Sequence, residues 1–213
     1  MTNVKATTES TLDLEKGLIS NAGIYYAKIT KPAKMYEKDK DFEYIVDAHV
    51  NKNTFKAYKK AFPKQSVKEM DYEDFVAKFG AENVIGGEGD EQYFIKLKKA
   101  AQYYKDGVRH DLADIYRPRI FQEVNGELVD ITFDESKKVA NGSVGTILLE
   151  LYASKFGQSA KLKAVRVDNL VVYEGSGNAF GALGNVANLA EAPKQQVSDD
   201  TSTVTTVQDD DWE

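Results

Sequence analysis

The sequence predicts a mainly β fold with short helices, followed by an acidic C-terminal tail. Residues 161–167, Lys-Leu-Lys-Ala-Val-Arg-Val, alternate charged and apolar side chains, which places the apolar ones on one face of a sheet. The pair Asn125-Gly126 lies between two apolar runs, and this is a strong signal for a tight β-hairpin. The excess of acidic residues is confined to the end of the chain.

The predicted strands all lie within the first 174 residues. Each is rich in β-branched and aromatic residues and is bounded by turn residues or charges. Pro32 is expected to end the first strand, because proline has no backbone N–H to donate. A polar link, 153–159, is expected between the two central strands. The strand segments are 23–30, 41–50, 91–104, 116–121 with its hairpin to 128–131, and the central pair 142–152 and 161–174.

Two short helices are predicted between the second and third strands. Asn53 is expected to cap the first, which carries apolar residues at helical spacing and ends at Pro63. Residues 66–69, Ser-Val-Lys-Glu, match a capping box before the second helix, which ends at Gly80.

Composition excludes several classes of site. The chain has no cysteine and two histidines, so disulfides, zinc ribbons, thiol nucleophiles and histidine-rich metal sites are not expected. The glycine loop 86–90 contains two acids and lacks the Gly-Lys-Ser/Thr ending of a phosphate-binding loop. No nucleophilic triad is recognisable, and neither a cofactor nor a metal is predicted. We also expect no signal peptide and no membrane span, and therefore a cytoplasmic protein.

The net charge of −6 is carried by the last thirty residues. Residues 184–213 hold seven acids and one base, so the preceding 183 residues balance at zero. This asymmetry predicts a globular body with an acidic interaction tail that ends in Asp209, Asp210, Asp211 and Trp212 before the final Glu213. We predict a flexible arm over 1–15, a domain over 16–182, and a linker with the acidic tail over 183–213.

Aromatic residues next to cations recur on several predicted strands. Bases of single-stranded nucleic acid stack on aromatic rings while Lys and Arg follow the phosphates, so this pattern favours single-strand binding. One alternative is an interaction protein, in which the central strands are a core hairpin with solvated lysines and the tail binds partners. Another is a nuclease that uses carboxylates and a metal. The clearest instances are Phe94 with Lys96 and Lys98, Tyr104 with Lys105, Tyr116 with Arg117 and Arg119, and Tyr152 and Phe156 with Lys155.

The last third of the chain resembles the single-stranded DNA-binding proteins encoded by tailed bacteriophages. The resemblance rests on Gly142-Ser143-Val144-Gly145, the strand ending at Leu151-Tyr152, the segment 161–167 and the aspartate-rich end with an aromatic residue. It implies an oligonucleotide/oligosaccharide-binding (OB) fold, a five-stranded antiparallel barrel, with a disordered acidic tail. Two features depart from the family pattern, namely Glu213 after the terminal aromatic residue and two helices between strands two and three.

The resemblance also implies a function. The chain is expected to bind single-stranded DNA without strong sequence preference, without enzymatic activity, during phage DNA replication, recombination and repair in the cytoplasm of the infected bacterial host. Its tail is expected to contact replication proteins such as a polymerase or a helicase/primase and to compete with DNA, and a homodimer is one state left open. The predicted DNA-binding residues are Phe94, Lys96, Lys98, Tyr104, Arg117, Arg119, Lys137, Tyr152, Lys155 and Phe156, and the predicted tail contacts are Asp209, Asp210, Asp211 and Trp212.

Overall fold

The computed structural model describes residues 9–35, 41–154 and 157–172. The chain divides into two units, 1–173 and 174–213, and the second lies outside the described residues. Eleven strands and two α-helices make up the described part. The helices are α1 (Lys52–Ala61) and α2 (Tyr72–Phe79). The strands are β1 (Thr11–Asp13), β2 (Leu18–Lys34), β3 (Phe42–Val50), β4 (Val67–Met70), β5 (Gln92–Ala100), β6 (Gln102–Lys105), β7 (Val108–Asp111), β8 (Arg119–Val124), β9 (Glu127–Asp130), β10 (Ser143–Ser154) and β11 (Gly157–Asn169).

Nine of these strands form one sheet whose central path is β5–β3–β2–β10–β11, with every neighbouring pair antiparallel. β1 pairs with β2, β4 extends the sheet beyond β5, and β8 pairs in parallel with β11 and carries β9 on its other side. β6 and β7 form a separate hairpin. The prediction of a mainly β, OB-type fold with two helices between its second and third central strands is therefore confirmed.

The strands have one face in the main core and one face outside it. On β5, Ile95 and Leu97 are fully buried in the main core, while Lys96 and Lys98 project from the opposite face. Helix α1 adds Phe55 and Tyr58 to the same core, so its apolar stripe is used for packing as predicted.

The outer face of β5 is covered at one end by α2. Phe75 of α2 packs there with Tyr25 of β2 and Phe94 of β5 in a second apolar cluster. His49 lies between Phe75 and Phe94, with ring centroids 4.7 and 4.8 Å from its own. Its Nε2 is 2.9 Å from Oε1 of Gln92. Because this cluster buries one end of the outer face, only the other end of β5 presents its lysines to solvent.

The central hairpin contains a β-bulge. Leu148 pairs with Ala164 but Leu149 pairs with Leu162, so Lys163 is an extra residue on β11. The bulge lets Leu162 and Val165 both face the main core, although residues three apart on a regular strand lie on opposite faces. A second irregularity lies at Gly145, where a Cβ would collide with the carbonyl oxygen of Arg166. Only glycine permits this close approach of the two backbones.

Several predicted boundaries differ from the structure for identifiable reasons. The first helix is capped by Asn51 rather than Asn53, because the side chain of Asn51 accepts a hydrogen bond from Thr54 N at 2.9 Å. The capping box predicted over 66–69 is instead β4, whose backbone pairs with the edge of β5. Asp71 is the residue that precedes α2.

Other corrections concern the strands. β2 continues through Pro32, which lies in an irregular stretch between Lys28 and Ala33, a setting in which proline is tolerated. The predicted strand 91–104 is divided at Ala101, whose N–H donates to Phe42 O at 2.8 Å. The predicted N-terminal arm is wrong for residues 11–13, which form β1.

Three further boundaries concern the hairpins. The predicted hairpin at Asn125-Gly126 is confirmed, with φ values of 54° and 84°. The strand before it begins at Arg119, because residues 114–116 form a 3₁₀ turn. The link between β10 and β11 is shorter than predicted, since β10 extends to Ser154 and β11 starts at Gly157.

We expect the stability of the fold to depend on the protonation of His49. Burial lowers the pKa of His49 to about 4, whereas the unfolded chain takes up this proton near pH 6.5. Below pH 6.5 the unfolded state therefore binds more protons, and the free energy of unfolding should fall by up to about 3 kcal/mol between pH 6.5 and 4. Urea denaturation at a series of pH values measures this.

The two histidines supply a matched comparison. His49→Phe should flatten the pH dependence relative to the unchanged chain, and His110→Gln, at an exposed position on β7, should leave it intact. Equal slopes for the unchanged chain and His49→Phe would contradict the assignment.

Candidate nucleic-acid interface

A basic groove of about 250 Å³ opens between β5 and the distal part of the β10–β11 hairpin. Five of the residues that line it are lysines and none is acidic. We call it the lysine groove. It is lined by Lys64, Gln65, Ser66, Lys96, Lys98, Lys99, Ala100, Tyr152, Ala160 and Lys161.

Strand alternation and the end of the core determine which lysines reach the groove. Lys96 and Lys98 are on the outer face of β5 because Ile95 and Leu97 occupy the core face. Lys99 is on the core side, at the end of the strand where the apolar core ends, and its side chain is 16% exposed.

Two carboxylates outside the lining hold two of the lysines in place. Lys98 Nζ donates to Glu43 Oε1 at 2.8 Å, and the Glu43 side chain is only 8% exposed. Lys99 Nζ donates to Glu150 Oε2 at 3.1 Å, and this hydrogen bond lowers the pKa of Glu150. A buried carboxylate partner restricts the position of a lysine that would otherwise move freely.

Lys96 and Lys161, on the two sides of the groove, differ from Lys98 and Lys99 in their ion pairing. Among the described residues, Lys96 and Lys161 form no ion pair within 4 Å. Asp47 is next to Lys96 across the sheet, and burial raises the pKa of its carboxyl group. Because neither ammonium group is held in an ion pair with a described carboxylate, both Lys96 and Lys161 can contact an anionic ligand.

The aromatic side chain in the groove is Tyr152 of β10, which is 36% exposed. Lys161 Nζ lies 4.3 Å from the centroid of its ring. This arrangement pairs a flat surface for a base with a cation for a phosphate, the combination that non-specific single-strand binding uses.

Three of the predicted DNA-binding residues thus meet in one place: Lys96, Lys98 and Tyr152. Sequence reasoning did not select Lys64, Lys99 or Lys161 as DNA-binding residues. The alternation in 161–167 did place Lys161 on an exposed face, and this was a usable signal. No local pattern marked Lys64 or Lys99, which reach the groove through tertiary packing.

Phe94 is a correction. It was predicted as a stacking residue, but its ring is 2% exposed and packs against Phe75 and His49. Phe94 shares the outer face of β5 with Lys96, as strand alternation requires, but α2 covers that end of the face. A base has no access to this ring.

Tyr104 is exposed but lies outside the groove, on the β6–β7 hairpin. Its ring is 60% exposed, and its hydroxyl donates to Asp41 Oδ1 at 2.7 Å. This hydrogen bond raises the pKa of Tyr104. The neighbouring Tyr103 stacks on His110, with ring centroids 5.4 Å apart.

The remaining predicted cations that the structure describes form ion pairs elsewhere. Arg117 pairs with Asp114 at 2.9 Å, Arg119 with Asp130 at 3.3 Å, and Lys137 with Asp134 at 3.9 Å. None of them lines the lysine groove. Lys155, Phe156 and the tail residues Asp209, Asp210, Asp211 and Trp212 lie outside the described residues.

The described residues contain neither a candidate metal cluster nor a candidate membrane-spanning helix. Within them, no group of three or more His, Cys, Asp or Glu side chains could hold a metal ion. None of the helices in that part of the chain is long and apolar enough to cross a membrane.

Comparison with known proteins gives matches among solved structures alone. No protein-family model matches the chain, and no curated protein matches it. The single-stranded DNA-binding protein from bacteriophage Enc34 in complex with ssDNA is 17% identical with a TM-score of 0.41, over 78% of this chain and 97% of that one. The C-terminal truncation of the Enc34 protein is 16% identical with a TM-score of 0.39, over 76% of this chain and 95% of that one.

Another match is gp2.5, a single-stranded DNA-binding protein encoded by bacteriophage T7. It is 17% identical with a TM-score of 0.38, over 84% of this chain and 97% of that one. These structural neighbours are thus single-stranded DNA-binding proteins of bacteriophages, the class that the sequence resembles.

Proposed function

We propose that this chain binds single-stranded DNA without strong sequence preference through the lysine groove. The observation that carries the proposal is the lining itself, in which five lysines surround the exposed ring of Tyr152 and no acid is present. Lysines bind phosphates as point charges, and a tyrosine ring stacks on any base. The role is non-enzymatic and requires no cofactor.

The lining also supports the lack of sequence preference that we propose. Reading a base requires hydrogen-bonding side chains directed at its edge. Of the residues that line the groove, Gln65 and Ser66 are the ones with a neutral amide or hydroxyl group apart from Tyr152. The side chain of Gln65 already accepts a hydrogen bond from Tyr58 Oη at 3.1 Å. Phosphate contact and stacking therefore dominate the interaction that we propose.

We further propose that binding serves phage DNA replication, recombination and repair in the cytoplasm of an infected bacterium. In this role the acidic tail contacts replication proteins and competes with DNA. The predicted homodimer remains a proposal that sedimentation of the purified chain would test.

Removing two groove lysines should reduce the salt dependence of binding. Lys96 and Lys161 lie on opposite sides of the groove and form no ion pair among the described residues. Each phosphate contact that is lost should reduce the slope of log K against log salt by about 0.7, so the double change to alanine should reduce it by about 1.4. A fluorescent oligonucleotide and its duplex, titrated at several salt concentrations, measure the slope and the single-strand preference.

Lys56→Ala is the matched control, because Lys56 is exposed on α1 and does not line the groove. An unchanged slope in the double variant would refute the groove assignment. Equally weak binding of single strand and duplex by the full chain would instead favour an interaction protein that does not act on DNA.

Tyr152→Ala should weaken single-strand affinity by about 1–3 kcal/mol, the usual loss for one stacked base. Tyr152→Phe keeps the ring and should retain most of the affinity, because stacking requires no hydroxyl group. Fluorescence anisotropy measures both affinities, and circular dichroism verifies that each variant is folded. Full affinity in a folded Tyr152→Ala variant would show that this ring does not stack.

Cutting the chain before Val197 should strengthen single-strand binding. The deleted residues include six of the seven acids in the last thirty positions, namely five aspartates and Glu213, and no base. Their removal eliminates a polyanion that competes with DNA for cations. The measurement is the oligonucleotide titration at low salt, with Asp209, Asp210 and Asp211 changed to Asn as a full-length comparison. Equal or weaker binding by both would argue against competition by the tail.

A further inference from the structure

Phe133 is an exposed aromatic residue flanked by two arginines, away from the lysine groove. Its side chain is 50% exposed, although it follows Ile131 and Thr132, which are buried. The guanidinium carbons of Arg117 and Arg119 lie 5.0 and 5.5 Å from its ring centroid. An aromatic ring left half in solvent beside two cations is a surface that can stack on a planar ligand.

The surroundings of the ring are held in place. Arg117 donates to Thr30 O at 2.8 Å and also lies over the ring of Tyr44, at 5.3 Å from its centroid. Thr132 Oγ1 accepts the N–H of Ile120 at 2.8 Å, which anchors the residue before Phe133 to β8. A ligand that stacks here therefore meets a preorganised surface and loses little affinity to side-chain ordering.

The two acids next to the arginines limit what the cations contribute. Arg117 and Arg119 are paired with Asp114 and Asp130. Their charges are therefore partly neutralised locally, and the contribution expected from this surface is stacking rather than phosphate contact.

β11 connects the surface around Phe133 to the lysine groove. Ala164 of β11 pairs with Arg119 of β8 in a parallel ladder. Lys161 of the groove is three residues earlier on β11, about 10 Å at the usual rise of 3.3 Å per residue. Between them lies the bulged Lys163, which is exposed. The outer side of β11 thus offers a cation on the way from one aromatic ring to the other.

We propose that Phe133 is a second base-stacking position, and that a bound single strand runs from the lysine groove along β11 to reach it. This inference rests on the proposed function and adds the direction and extent of the DNA path. A nucleic acid strand fits better than a protein segment, because the path alternates a ring, an exposed lysine and a second ring, which matches a polymer of bases and phosphates.

The test uses the full-length chain and a series of oligothymidines from about 4 to 16 nucleotides, the range of site sizes for OB folds. Phe133→Ala should leave the affinity for the shortest oligonucleotide that binds unchanged and should weaken binding of the longer ones roughly 5- to 150-fold, as for one stacked base. The salt slope should stay the same. Lys163→Ala should lower the slope by about 0.7, again only for longer oligonucleotides.

Leu128→Ala is the matched control, since Leu128 is a large apolar residue, 60% exposed, on the neighbouring β9 and has no ring. It should change no affinity. A Phe133→Ala variant with unchanged affinity at every length would overturn the inference while leaving the lysine groove intact. Equal weakening at every length, or equal weakening by Leu128→Ala, would also overturn it. Failure of the unchanged chain to bind any oligonucleotide would overturn the proposed function as well.

Discussion

Burial of both faces of β5 at one end is the constraint on which the site depends. The main core takes Ile95 and Leu97 on one face, and α2 covers Phe94 on the other. Beyond the end of that cover, the outer face can carry only side chains that tolerate water, and Lys96 and Lys98 are found there. Helix α2, which covers one end of the outer face of β5, therefore also determines where the basic surface begins.

The fold could be predicted from sequence more fully than the site. Alternation and turn residues identified every strand of the central path, because these signals are local. Asn51 rather than Asn53 caps α1 through a local hydrogen bond from Thr54 N. Residues 67–70 form a strand rather than a helix start, because long-range backbone pairing with β5 outweighs the local capping preference. Such pairing leaves no trace in a short window of sequence.

For the site, sequence could identify candidate chemistry but not exposure. Phe94 and Tyr152 are aromatic residues near cations in the chain, whereas Phe133 is followed by two acids and meets its arginines only in space. One is buried beneath α2, one lines the lysine groove, and one is half exposed between two arginines. The difference lies in which element packs over each ring, and it becomes visible only when the helices and hairpins are placed. Lys64 and Lys99 were missed for the same reason.

Charge placement matters more here than total charge. The first 183 residues are neutral overall and the whole chain is negative, so no net attraction draws the chain to a polyanion. The affinity for DNA that we propose must then come from the immediate surroundings of the lysine groove, where cations outnumber acids. Salt screens electrostatic attraction less at that short range than over long distances. Each phosphate contact nevertheless releases a counterion. In the function that we propose, a local surface holds DNA, and an acidic segment elsewhere in the sequence can coexist with that surface.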